Sequence, residues 1–249
     1  MTYIPNPKTA GSGIICCIPQ KGECPNRCPD CFFQSGRSYL EPLSENLPNM
    51  PSTALARGKI VRVNDGNDSN VQRDLVISST EQYIDKFYNT ARPKLDFPAP
   101  VVLTVNPGRM TNKSWYNIMP IADAMPKNLM FVRVRANTWN KNIVWGVIDY
   151  YSLFSVPIVL TFMAYHRDSS IPKDHMDNYI YRKRIMNSYW TIGTKAWREY
   201  MAEFEDEKLV YTCGKIEGEK GVTACRFCGN CLREYYATME RMRHDPERV

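Results

Sequence analysis

Short apolar runs recur along this chain with helical or turn-rich segments between them, and that alternation limits the fold more than any other feature. Residues 13–18, Gly-Ile-Ile-Cys-Cys-Ile, read as a buried strand. Similar runs follow at Lys59–Val63, Val101–Val105, Leu129–Val134, Val156–Met163 and Tyr189–Ile192. Between them Ser79–Thr90 is expected to be a helix. Ser79 and Gln82 suit a capping box, and Tyr83, Ile84, Phe87 and Tyr88 make one apolar face. Asn142–Phe154, Asp174–Met186 and Thr194–Glu207 are the other expected helices, and residues 41–56, with Pro42, Pro48 and Pro51, form a loop-rich crossover. Parallel strands alternating with helices make an α/β fold, either a doubly wound sheet or a barrel. A chain of 249 residues is long enough for one such domain.

Cysteine placement narrows the choice. Cys24, Cys28 and Cys31 stand in Cys-Pro-Asn-Arg-Cys-Pro-Asp-Cys, a C-x3-C-x2-C spacing just after the first expected strand. Three thiolates are one short of the four that close a four-iron cluster. An iron left without a protein thiolate is free to take a small molecule. Zinc is the competing reading, but structural zinc sites favour four ligands and paired C-x2-C knuckles. Cys16 and Cys17 lie within the apolar strand, where cysteine commonly serves as a small hydrophobe. A disulfide framework is disfavoured by the odd count of nine cysteines.

The C-x3-C-x2-C spacing resembles the cluster motif of the radical S-adenosylmethionine (SAM) enzymes. The resemblance implies a [4Fe-4S] cluster on Cys24, Cys28 and Cys31 whose open iron chelates the amino and carboxylate groups of SAM. It further implies reductive cleavage of SAM to a 5′-deoxyadenosyl radical that abstracts hydrogen from a substrate. For the fold it implies a partial (β/α)6 TIM-like barrel over residues 1–208, with the cysteine loop at the carboxyl end of the strands. The family places an aromatic before the third cysteine, its backbone meeting adenine. This chain has Asp30 there, and a backbone contact survives the change of side chain.

The resemblance also directs attention to the segment after the second strand, where the family carries a glycine-rich stretch that receives SAM's amino group. Here the stretch runs Asn64-Asp65-Gly66-Asn67-Asp68. Asp65 or Asp68 would accept an ammonium, although an ordinary polar turn favours the same residues. Later strand ends add Asn106, followed by Pro107-Gly108, then Arg133, Arg135, Asn137 and Thr138, and finally Thr161, Tyr165 and His166. Which of these face inward depends on register.

A second cysteine group, Cys213, Cys225, Cys228 and Cys231, supplies four thiolates, enough to close a metal site. Gly214, Gly221 and Gly229 give its backbone freedom. Residues 209–249 are expected to form a small C-terminal module resembling the auxiliary iron–sulfur extensions of radical SAM enzymes, with zinc as the competitor.

Composition sets outer limits. The net charge of +6 is mildly basic, and Arg182-Lys183-Arg184 with Arg241, Arg243 and Arg248 are the densest positive patches. Such runs suit RNA phosphates, and solvated helix faces account for them equally well. The longest apolar stretch, Ile143–Met163, is broken by Asp149 and Pro157, so no membrane partner is expected. The absence of a signal pattern and the clustered cysteines point to a reducing cytoplasm. The leading expectation is a radical SAM enzyme served by an external electron donor, its substrate a peptide, a protein or RNA. The rival from another class is a zinc-binding structural or interaction protein with two cysteine-ligated sites.

Overall fold

Runs of branched residues that are apolar at every position make strands buried on both faces, as a parallel sheet covered by helices requires. A computed structural model describes residues 2–26, 28, 31, 33, 38–106, 125–183, 188–213 and 225–244. Its strands are β1 (Ile14–Cys17), β2 (Ile60–Val63), β3 (Lys86–Thr90), β4 (Val101–Val105), β5 (Leu129–Ala136), β6 (Ile158–Phe162), β7 (Ala164–Tyr165), β8 (Tyr179–Arg182), β9 (Tyr189–Ile192) and β10 (Val210–Cys213). Its helices are α1 (Leu43–Asn46), α2 (Thr53–Ala56), α3 (Arg73–Thr80), α4 (Lys141–Ser152), α5 (Thr194–Ala202), α6 (Cys225–Cys228) and α7 (Asn230–Arg243). Seven strands form one sheet in the order β1-β2-β3-β4-β5-β6-β10, all neighbours parallel. The sheet curls into a half-barrel, compatible with the partial barrel expected. β7, β9 and β8 make a separate antiparallel sheet beyond the end of β6.

Alternation along the strands sends side chains to two different layers. On the outer face Val61, Val63, Tyr88, Leu103, Val132, Val134 and Leu160 pack with α3, α4 and α5. α4 contributes Val144, Val147, Ile148 and Tyr151, a stripe at helical spacing. The opposite face carries Ile60, Phe87, Val102, Phe131 and Val159. Against it lies α7, whose Tyr235 is buried among these residues with Leu232 and Met239 packed beside it. Tyr235 also donates to Asp85 Oδ1 at 3.1 Å, and Arg241 Nη2 donates to the Leu129 carbonyl at 3.0 Å. A helix therefore fills the lower part of the bore.

Several expectations need correction. Lys86–Thr90, read as the end of a helix, is β3. Its adjacent aromatics divide between the two faces, Phe87 inward and Tyr88 outward, while Ile84 stands 94% exposed in the preceding turn. Two aromatics side by side imitate a helical face and conceal the period of two. Asp174–Met186 is a 3-10 turn over Lys173–Asn178 followed by β8, because Tyr-Ile-Tyr favours an extended chain; residues 184–186 lie outside the described residues. Tyr189–Ile192 is a strand, but it pairs in the small antiparallel sheet. The sheet instead gains Val210–Cys213, from the stretch expected to be a separate module. Among the described residues no helix is long and apolar enough to cross a membrane.

Candidate functional site

The carboxyl ends of β1 to β6 surround a cavity of about 290 Å³. Small-molecule sites in curled parallel sheets assemble at this end, because the loops there converge while the opposite ends are packed. Each strand contributes. The loop after β1 brings Cys24, Asn26, Cys28, Cys31 and Phe33, and the loop after β2 brings Asn64, Asp65, Gly66, Asn67 and Asp68. β3 adds Asn89 and Thr90, β4 adds Thr104 with Asn106 just beyond its end, and β5 adds Arg133 and Arg135. β6 adds Thr161 and Phe162, Met163 follows from the residue after it, and Lys8 also lines the cavity.

The three N-terminal cysteines thus share one wall. Burial pushes the Cys24 thiol up to about 11, the Asn26 backbone N–H opposes this, and Asp68, Cys28 and Cys31 add to it. The thiols are therefore close enough to feel one another. Among the described residues no three His, Cys, Asp or Glu side chains surround a point that one metal ion would occupy. A four-iron cluster asks for a different arrangement, its thiolates spread around a cube instead of gathered at a single ion.

Asp68 is the keystone of this wall, and its carboxylate is fully engaged. Asn26 Nδ2 donates to Oδ2 at 2.8 Å and the Ala91 N–H donates to the same oxygen at 2.8 Å. Thr90 Oγ1 and the Asn70 N–H donate to Oδ1, each at 2.9 Å. One residue thereby ties the cysteine loop, the loop after β2 and the end of β3 together. Asn26 is held from its other side by Arg92 Nη2, 2.8 Å from Asn26 Oδ1.

Asp65 behaves differently. Its Oδ2 accepts from Asn6 Nδ2 at 2.8 Å, from Tyr39 OH at 3.3 Å and from Arg62 Nη2 at 3.3 Å. Its Oδ1 is buried without a hydrogen-bond partner, as is Asn64 Oδ1. Two orphaned acceptors side by side are unusual, since buried polar groups are nearly always paired. Asn64 adopts a left-handed backbone (φ 61) and donates its N–H to the Cys17 carbonyl at 2.7 Å, which turns the chain sharply off β2. Gly66 is required for packing: a Cβ there would overlap the Phe33 ring, itself buried among Ile18, Leu40, Leu43 and Leu47.

Of the other expected contacts, Asn106 and Arg135 line the cavity, and Asn67 does so with its side chain turned back onto the Asp68 N–H. Asn137 does not. Its amide spans Tyr165 OH and the Trp139 N–H, and so builds the turn after β5. Tyr165 and His166 also lie away from this cavity; His166 lines a surface groove with Tyr181 and Trp190. Asp30, Pro107, Gly108, Gly214, Gly221, Arg184 and Arg248 lie outside the described residues. Sequence reasoning missed Asn26, Asn89 and Thr104. For Asn89 the signal was lost when β3 was read as helix.

The second cysteine group lies on the inner face of the sheet. Cys213, at the end of β10, and Cys231, in the first turn of α7, both pack against the apolar layer of the bore. Interaction with Cys228 holds the Cys213 thiol below its ordinary range against the effect of burial, with Arg133, Arg62 and Lys8 assisting. Burial pushes Cys231 up to about 11, opposed by Arg133 and Arg62, with Cys213 and Cys225 adding to the rise. Cys213 and Cys231 thus share the inner layer, while among the described residues no three of these thiols are gathered as ligands of one ion. Asn230 Nδ2 reaches the Thr212 carbonyl at 2.9 Å and fixes the start of α7 onto β10. The chain matches no protein-family model, no curated protein and no solved structure.

Proposed function

We propose that this chain is a radical SAM enzyme whose first cluster is held by Cys24, Cys28 and Cys31. The observation that carries the reading is their position on one cavity wall with the Asn64–Asp68 segment, at the carboxyl ends of parallel strands. The donor set suits the group. Three soft thiolates leave one iron open, and the orphaned Asn64 Oδ1 and Asp65 Oδ1 are acceptors of the kind an ammonium satisfies. When bound, the cluster and SAM together supply reductive cleavage of a carbon–sulfur bond and a carbon radical that takes hydrogen from substrate.

The chain's own residues have three tasks in this reading. Asn64, Asp65 and Gly66 receive the methionine end of SAM, with Asn67, Asn106 and Arg135 around it. Asp68 and Asn26 keep the cysteine loop registered against that segment. Phe162 and Met163 provide apolar wall on the far side, where water would otherwise reach a reactive centre. An external donor supplies the electron, and the substrate is a peptide, a protein or RNA. Cys213, Cys225, Cys228 and Cys231 hold a second cluster, or zinc.

Anaerobic purification with iron, sulfide and zinc analysis is the test. Iron and sulfide near four or near eight per chain, as one or two four-iron clusters require, together with 5′-deoxyadenosine formed under strong reductant, support the proposal. Replacing any of the three cysteines with alanine should abolish that product while leaving the fold largely intact. Zinc alone, or product from the triple variant, would refute it and favour a zinc-stapled interaction protein.

A further inference from the structure

The small antiparallel sheet beyond β6 carries a pair of aromatic rings at its edge. Tyr181 and Trp190 stand directly opposite each other in the ladder of β8 and β9, which puts both side chains on one face. Their ring centroids lie 5.2 Å apart, and Tyr181 is 52% exposed. Further in, the same face is core: Tyr165, Tyr179 and Ile192 are buried there, and Trp190 packs against them. The ring pair therefore rests on a rigid base. It lines a surface groove whose other walls are His166, Arg167, Asp168 and Ser169.

Positive charge gathers around these rings. Arg167 lines the groove, and Arg182 and Lys183 continue the chain past Tyr181, both exposed. None of the three makes an ion pair among the described residues. Asp168 is the one carboxylate lining the groove, and its Oδ1 accepts from the Ser169 N–H at 2.7 Å. An acidic peptide would use the cations and leave the rings without a partner. An apolar peptide would find no aliphatic side chain in the groove. A single-stranded polynucleotide uses both features, since its bases stack on aromatic side chains and its phosphates attract arginine and lysine.

One stretch of chain joins the groove to the cavity. Phe162, Met163 and Ala164 line the cavity, His166 to Ser169 line the groove, and only Tyr165 lies between them. From Ala164 to His166 an extended chain spans about 7 Å. We propose that the groove at Tyr181 and Trp190 binds a single-stranded polynucleotide and delivers a neighbouring nucleotide to the cavity. As a statement about substrate this rests on the function proposed above, and it selects a polynucleotide over peptide and protein. As a statement about binding it stands alone.

The test is fluorescence anisotropy of labelled oligouridylate and oligodeoxyuridylate on the full chain, purified anaerobically, with no SAM added. Both strands should bind more tightly than an adenine–uracil RNA duplex, and the difference between them reports whether ribose is read. Tyr181→Leu should weaken binding about 5- to 150-fold, the usual loss of one stacked base, while Tyr181→Phe should retain it. Changing Arg182 and Lys183 to glutamine should make the slope of log affinity against log salt shallower by about 1.4, as two lost phosphate contacts require. These side chains are exposed, so the fold survives the changes. No binding of either strand, duplex bound as tightly, or affinity unchanged by Tyr181→Leu would overturn the proposal. So would an oligoglutamate peptide that displaces the strand and binds Tyr181→Leu as well as wild type, the behaviour of an acidic-peptide site. Strand binding as expected without 5′-deoxyadenosine under strong reductant would sink the proposed function and leave the groove assignment standing.

Discussion

Replacing Asp68 with alanine removes an acceptor that serves four donors at once, in a side chain whose residue is 3% exposed. The donors differ in how well they recover. Thr90 Oγ1 already lies 3.3 Å from the Arg92 carbonyl and turns its proton there. Asn26 Nδ2, the Ala91 N–H and the Asn70 N–H have no such alternative in the structure and are left unsatisfied. Each orphaned buried donor costs about 1–3 kcal/mol. Three of them, partly relieved by water at the rim, cost about 3–5 kcal/mol. For a chain of this size 1 kcal/mol shifts Tm by about 2–4 °C, so the loss should be near 10 °C. Asp68→Asn is a sharper probe. Its oxygen keeps Asn26 and Ala91, while its NH2 opposes the Asn70 N–H and faces a Thr90 hydroxyl whose two lone pairs already accept from Asn70 Nδ2 and the Arg92 N–H. That variant should lose about 2 kcal/mol. Urea denaturation of the metal-free protein followed by circular dichroism measures both. Asp68→Ala within 1 kcal/mol of wild type, or Asp68→Asn as damaging as alanine, would refute this account of the wall.

Other outcomes follow from the same geometry. Gly66→Ala should cost about 1–3 kcal/mol through overpacking against Phe33, and Phe33→Leu in the same chain should recover part of that loss; additive effects would mean the two residues do not touch. Tyr235→Ala should cost about 3–5 kcal/mol and expose α7 to protease ahead of the sheet, which limited proteolysis reads directly. If the C-terminal cysteines hold the metal proposed above, chelating it should loosen α7 more than the outer helices, seen as faster amide exchange over residues 230–243 than over 141–152.

The outer layer of the fold was legible because both neighbours of each strand are apolar. Five of the expected runs are strands of the main sheet, within two residues at their ends. What failed depends on pairing at a distance. β10 is an edge strand of half-buried residues, Val-Tyr-Thr-Cys, and no local pattern assigns it to β6 instead of to the cysteine module that follows. β9 has a convincing strand composition, but sequence alone does not say which sheet it joins. The site was legible to the level of loops. The loops after β1 and β2 do meet at one cavity, yet the division of labour within the second was hidden. Asp65 and Asp68 are equivalent acceptors on paper. They differ because the partners of Asp68 are Asn26 and Thr90, 42 and 22 positions away.

The inner face left a signal that reading by runs passed over. In β2 the outward residues are Val61 and Val63 and the inward ones Ile60 and Arg62; in β5 the outward residues are Val132, Val134 and Ala136, and Arg133 and Arg135 alternate with them. Arginines at a spacing of two inside an otherwise branched apolar strand mean that one face is core and the other is not. A bore filled only by hydrophobic side chains would leave such charges without partners, at a cost of several kcal/mol each. The structure divides the bore accordingly. Phe87, Phe131, Val159 and Tyr235 fill its lower part, and Arg133 and Arg135 line the cavity at its upper end with Cys24, Cys28, Cys31, Asp65 and Asp68, while Arg62 pairs with Asp65. Each of the two arginines with a resolved partner meets an oxygen acceptor instead, Asp65 for Arg62 and Asn89 for Arg133, which is how the inner face tolerates their charge.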